Sequence, residues 1–166
     1  MDNEYEQLKS DVLDEIEAIE QTLKDLTSIK KNLVPDKVDN TQKAAIGTFL
    51  MNFYVGIENI IKRISKVYYQ KIPRGHSWHK ELLDLSYNPP QGKIPIFDER
   101  IVDKLNPYRG FRHVFVSGYG FKLRIELMIS LVDNVDSLWI DIKKAIDEFV
   151  NKLALTAKDS DNRFGI

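Results

Sequence analysis

Between Asn106 and Tyr119 the chain reads Asn-Pro-Tyr-Arg-Gly-Phe-Arg-His-Val-Phe-Val-Ser-Gly-Tyr. Arg109 and Arg112 stand three apart, and Arg109 and His113 four apart, so on a helix the three share one face. Two guanidiniums and an imidazole together are the parts of a phosphodiester clamp. Arginine grips phosphate through paired hydrogen bonds, and histidine titrates near neutral pH. The same residues would equally serve as ion-pair partners for carboxylates on neighbouring helices, and spacing alone leaves both readings open. His76 and His79 form a second constellation, at a spacing compatible with zinc on a helix. Only Glu81 and Asp84 are further ligand types nearby, so no metal site is expected and these histidines are read as surface or capping residues. The sequence contains no phosphate-binding glycine loop, nucleophile elbow or HExxH motif.

The elements that must position these residues are helical. Tyr5, Leu8, Val12, Ile16, Ile19, Leu23, Leu26 and Leu33 recur mostly at steps of three or four, one stripe of a long helix that Pro35 should close. That stripe is expected to pack inside the domain, with a dimer seam as the alternative. A second helix should start at Asp39, Asn40 or Thr41. Its apolar residues, from Ile46 to Val67, cover so much of its circumference that it should be central. A short helix from Ser77, capped by that serine and carrying Trp78, follows the Pro73-Arg74-Gly75 turn. Tyr87 to Pro95 reads as a loop. Asp98 should cap a further helix that kinks or breaks at Pro107 and ends at Gly118 and Gly120. Two more helices are expected, around Leu123–Leu131 and from Asn134 to Leu155. The result is an all-α bundle of five or six helices, one domain spanning residues 1–166, with 156–166 a flexible tail.

Composition agrees. Apolar residues make up 43% and charged residues 30%, the shares of a globular chain. The chain has no cysteine, which excludes disulfides and thiolate metal sites and fits a reducing compartment. The acidic start MDNEYEQLKSD is unlike a signal peptide, and no uninterrupted apolar run approaches the ~20 residues of a membrane span. A cytoplasmic protein without a membrane partner is expected. With 24 Lys and Arg against 25 Asp and Glu, a general nucleic-acid coat is disfavoured, although a local basic patch is allowed.

Three blocks in order carry a family resemblance: Asn52-Phe-Tyr-x-Gly-Ile-Glu58-x-Ile60, Trp78-His-x-Glu-Leu-Leu83, and Arg109-Gly-Phe-Arg-His-x-Phe115 followed by Tyr119-Gly-Phe121. Together they span roughly residues 45–150 and resemble the HepT-like ribonuclease toxins of the HEPN superfamily. The resemblance implies a homodimer with a metal-independent, cofactor-free RNA-cutting cleft. It also implies a small nucleotidyltransferase antitoxin as partner, which in some pairs adds AMP to a motif tyrosine.

The family motif is an arginine, four residues, a histidine, one residue and a tyrosine. Carried over, the arginine falls on Arg112 and the tyrosine on Tyr119, the candidate AMP acceptor, while the histidine's place is taken by Ser117. Serine is no general acid or base at its usual pKa. The implied reading is therefore a toxin-family protein with weak or no ribonuclease activity, Arg109 and Arg112 holding RNA phosphate. The alternative is an active endoribonuclease in which His113, one turn before Ser117, works with Arg112. A purely structural dimerising protein is the further alternative. Asn52, Tyr54 and Glu58 are expected to share a face and support the Arg109–His113 segment, and a Glu58–Arg112 pair would make that arginine a scaffold residue. Trp78 is expected to anchor the core, with base stacking the other reading.

Overall fold

The computed structural model describes residues 2–118 and 123–163. It is an all-α bundle of five helices, with no strand among the described residues. They are α1 (Asp2–Lys30), α2 (Asn40–Ile64), α3 (Trp78–Tyr87), α4 (Glu99–Val116) and α5 (Ile125–Arg163).

The central element is α2, which packs against all four others. Asp39 starts it with a full capping box: its side chain accepts from the Gln42 N–H at 2.7 Å, and the Gln42 side chain accepts from the Asp39 N–H at 3.1 Å. With the π-helical turn Ser65–Tyr69 that continues it, α2 is long and apolar enough to cross a membrane. More than half of that stretch is buried by the other helices, and its hydropathy is that of a core helix. The α1 stripe from Leu8 to Leu26 is buried within the bundle. Gly56 lets α1 approach closely, since a Cβ there would lie 2.4 Å from Ile19 Cγ1. Arg63 then ties α2 to Asp11 and Glu15 of α1, each at 3.1 Å.

Four expectations are corrected. The first helix ends at Lys30, short of Pro35: Lys31 and Asn32 form a turn, Val34 is extended as a residue before proline prefers, and Pro35 opens a 3-10 turn. Of the kink or break expected at Pro107, the break does not occur, since α4 runs through the proline. Asp103, whose carbonyl loses its helical donor, is exposed to water as is Pro107 itself. The two expected C-terminal helices are one. Asn134 bonds back to the Ser130 carbonyl at 2.7 Å, so it continues the helix and does not cap a new one. Ser77 precedes α3 without capping it, its hydroxyl being turned to the Glu81 carboxylate.

The loop before α4 is pinned from within. Tyr69 donates to the Ile94 carbonyl at 2.9 Å, and Ile96 and Phe97 donate their N–H groups to the Ser86 carbonyl. That anchorage brings α4 down beside α2 and α3. Asp98 caps it by accepting from the Ile101 N–H at 2.9 Å.

Candidate functional site

Where α2, α3 and α4 meet, three charged or ionisable side chains converge. Glu58 of α2 is buried, at 5% exposure. Its Oε2 lies 2.6 Å from His79 Nδ1 on α3. His79 Nε2 lies 3.3 Å from Arg112 Nη1 on α4, and Arg112 Nε is 3.9 Å from Glu58 Oε1. A guanidinium can only donate, so Nε2 accepts from it and the ring proton sits on Nδ1, donating to Glu58. The imidazole thus bridges a buried carboxylate and a guanidinium. Arg112 Nε is itself buried and has no hydrogen bond among the described residues, since 3.9 Å exceeds hydrogen-bond reach.

Tyr54, one turn before Glu58, closes the cluster from beneath. Burial, and then the Glu58 charge, push its phenol well above the usual tyrosine range, while the charges of Arg109 and Arg112 act in the opposite direction. Arg109 is half-buried and donates from Nε to Asn106 Oδ1 at 3.3 Å. Trp78 packs beside His79, with ring centroids 3.5 Å apart.

The sequence-derived candidates divide accordingly. Arg112, Glu58, Tyr54 and Arg109 are brought together. Asn52 is not: two residues from Tyr54 is more than half a helical turn, and it faces outward on the exposed side of α2. His113 is exposed, and no hydrogen bond or ion pair joins its ring to Arg112 among the described residues. Ser117 forms the C-cap of α4, exposed, with its hydroxyl donating to the His113 carbonyl at 2.7 Å. Tyr119 lies outside the described residues. His76 is exposed before α3, and no cluster of three metal-ligating side chains occurs among the described residues.

His79 is the residue that sequence spacing misassigned. Its partners come from helices 21 and 33 positions away, beyond any single-helix periodicity. The signal that pointed to it was its membership of the Trp78-to-Leu83 block.

The family model described as HepT-like protein matches residues 45–153, well over half of the chain. The chain belongs to the HepT-like family. No curated protein and no solved structure matches it. The match takes in every member of the Glu58–His79–Arg112 cluster as well as Ser117 and Tyr119. As a HepT-like domain, its α1 lies wholly before the matched region, and α2, α3 and α4 supply the site from within that region.

Proposed function

We propose that this HepT-like protein is the toxin-family member of a nucleotidyltransferase-paired toxin–antitoxin system in the cytoplasm, with weak or no ribonuclease activity. The observation that carries this reading is the engagement of Arg112. Its guanidinium is held by His79 and faces Glu58, and its side chain is only 19% exposed. Ser117, at the motif histidine's position, supplies no proton-transfer group, and its hydroxyl is turned back onto the helix. A phosphodiester would have to draw Arg112 from its partners and would meet no imidazole at that position. Two copies of the chain pair in this reading. Gly110, with open space about it, and the exposed Val114 one turn further on offer a face of α4 for that pairing. Tyr119 is the residue for the antitoxin to modify with AMP.

The test is RNA cleavage by the purified protein with EDTA present, beside Arg112→Ala, His113→Ala, His79→Ala and Ser117→His. No cleavage by the unmodified chain and its appearance in Ser117→His is the expected result. Capture of a nucleotidyltransferase from the same genomic neighbourhood supports the pairing, and failure of all such candidates to bind overturns it.

A second reading, an active metal-independent ribonuclease that holds RNA with Arg109 and Arg112, is favoured by one observation. His79 delivers an imidazole 3.3 Å from Arg112, where His113 does not. Cleavage lost in both Arg112→Ala and His79→Ala but kept in His113→Ala would establish it in place of the first.

A further inference from the structure

Trp78 opens α3 and does two things at once. One contact of its ring is with His79, as described. The ring also lines a surface hollow of about 310 Å³ between the end of α2 and the turn before α3. Ile72, Pro73 and Leu82 give this hollow apolar walls, and Lys62 and Arg74 give it two cations. No carboxylate is among its described lining residues. Lys62 Nζ stands 5.3 Å from the Trp78 ring centroid, a cation–π contact on a flexible stem. Arg74 is exposed and forms no ion pair among the described residues. In a chain of net charge −1, the hollow thus sets two cations beside a partly exposed indole with no carboxylate among its described lining residues.

We infer that this hollow is a nucleotide subsite, the base stacking on Trp78 and a phosphate held between Lys62 and Arg74. The chemistry selects the occupant. A neutral apolar ligand would have no use for two cations, and an acidic peptide would have none for a flat aromatic wall. A nucleobase with an attached phosphate uses both, because every base offers a π-face and every nucleotide a charge. The Lys62 ammonium, already drawn to the indole, moves to the phosphate when the base takes its place over the ring. Through His79 the indole is one side chain from Arg112, so the subsite flanks the family's site without using its motif residues. The inference goes beyond the proposed function and holds whether or not RNA is cut.

The experiment is calorimetric titration of the full chain with AMP, with adenosine and with a short oligoadenylate RNA at low salt. AMP and the oligomer should bind and adenosine should bind more weakly. Oligomer affinity well above that of AMP assigns the subsite to an RNA strand, and equal affinity assigns it to free nucleotides. Lys62→Ala combined with Arg74→Ala changes two exposed residues and should weaken AMP binding roughly five-fold or more. Trp78→Leu should weaken it by a similar factor or beyond, and Trp78→Phe should restore part of it. Trp139, the second tryptophan, is buried, so quenching of fluorescence by AMP reports on Trp78. Binding unchanged in the Lys62/Arg74 double variant, adenosine bound as tightly as AMP, or neither AMP nor oligomer bound would each overturn the inference. The double variant decides the matter if Trp78→Leu does not fold. None of these outcomes touches the toxin–antitoxin reading, which rests on cleavage and on antitoxin capture.

Discussion

A carboxylate at 5% exposure keeps its charge in the folded state only if donors reach it, and Glu58 has two sources: the imidazole Nδ1–H and, more distantly, the guanidinium. The two partners are not equivalent. Removing Glu58 leaves Arg112, with Nε already lacking a hydrogen bond, without its only ion-pair partner among the described residues. Removing Arg112 leaves Glu58 still bonded to His79 at 2.6 Å. Glu58→Ala should therefore cost about 3 kcal/mol in chemical denaturation, and Arg112→Ala should cost distinctly less. An Arg112→Ala penalty equal to or above that of Glu58→Ala would show that the bridge through His79 does not hold Glu58. The arginine, the glutamate and their pairing were legible in the sequence, because spacing on α2 and α4 puts each on an inward face. The histidine that joins them was not, because it arrives from a third helix and nothing local marks the meeting point.

At the scale of the element, sequence signals were readable where the chain satisfies itself locally and misleading where neighbours or water take over. Asp39 and Gln42 declare the start of α2 within four residues, and Asp98 declares that of α4. Asp39→Ala should accordingly cost about 1 kcal/mol, seen as a lower thermal midpoint with helix content kept, and an unchanged midpoint would mean the box contributes nothing. Pro107 misled because the carbonyl it strands lies on a wet face. Asn134 misled because its side chain serves its own helix. Packing sites were hidden in a different way, since a glycine in a helical pattern does not say which neighbour needs the space. Gly56 and Gly47 would both crowd a new Cβ at 2.4 Å, against Ile19 and Phe115 respectively. Ile19 is locked in the core at 1% exposure, whereas Phe115 is half-buried near the end of α4 and can yield. Gly56→Ala should thus destabilise by about 1–3 kcal/mol, and Gly47→Ala by clearly less. Equal penalties in urea unfolding would refute that distinction.

For the molecule as a whole, the five helices are joined less by surface ion pairs than by buried phenols. Lys30–Asp133 and Lys104–Asp141, each at 3.3 Å, and Glu20–Lys143 link α5 to its neighbours, but all six side chains are substantially exposed and such pairs are worth little. The tyrosines act differently. Tyr69 donates to Ile94 and fastens the loop before α4. Tyr108 of α4 donates to the Leu131 carbonyl of α5 at 2.7 Å, and Tyr54 underlies the Glu58 cluster. Burial, first among the causes, raises all three phenols above their ordinary range, assisted by Glu58 at Tyr54, Tyr68 at Tyr69 and Asp136 at Tyr108. A phenol whose folded pKa is raised contributes its full stability below the unfolded value of about 10 and loses it as pH climbs from there toward the folded value. Tyr69 and Tyr108 would also lose the protons that join loop to turn and α4 to α5. The chain should therefore unfold cooperatively on the alkaline side of pH ~10. Tyr54, Tyr69 and Tyr108 should ionise only together with the loss of helical circular dichroism. Tyr54→Phe removes one of those loads without removing a hydrogen bond to a described partner, so it should move the alkaline midpoint upward. Complete tyrosinate absorbance while the helices remain intact would show that these phenols are not held out of water by the fold.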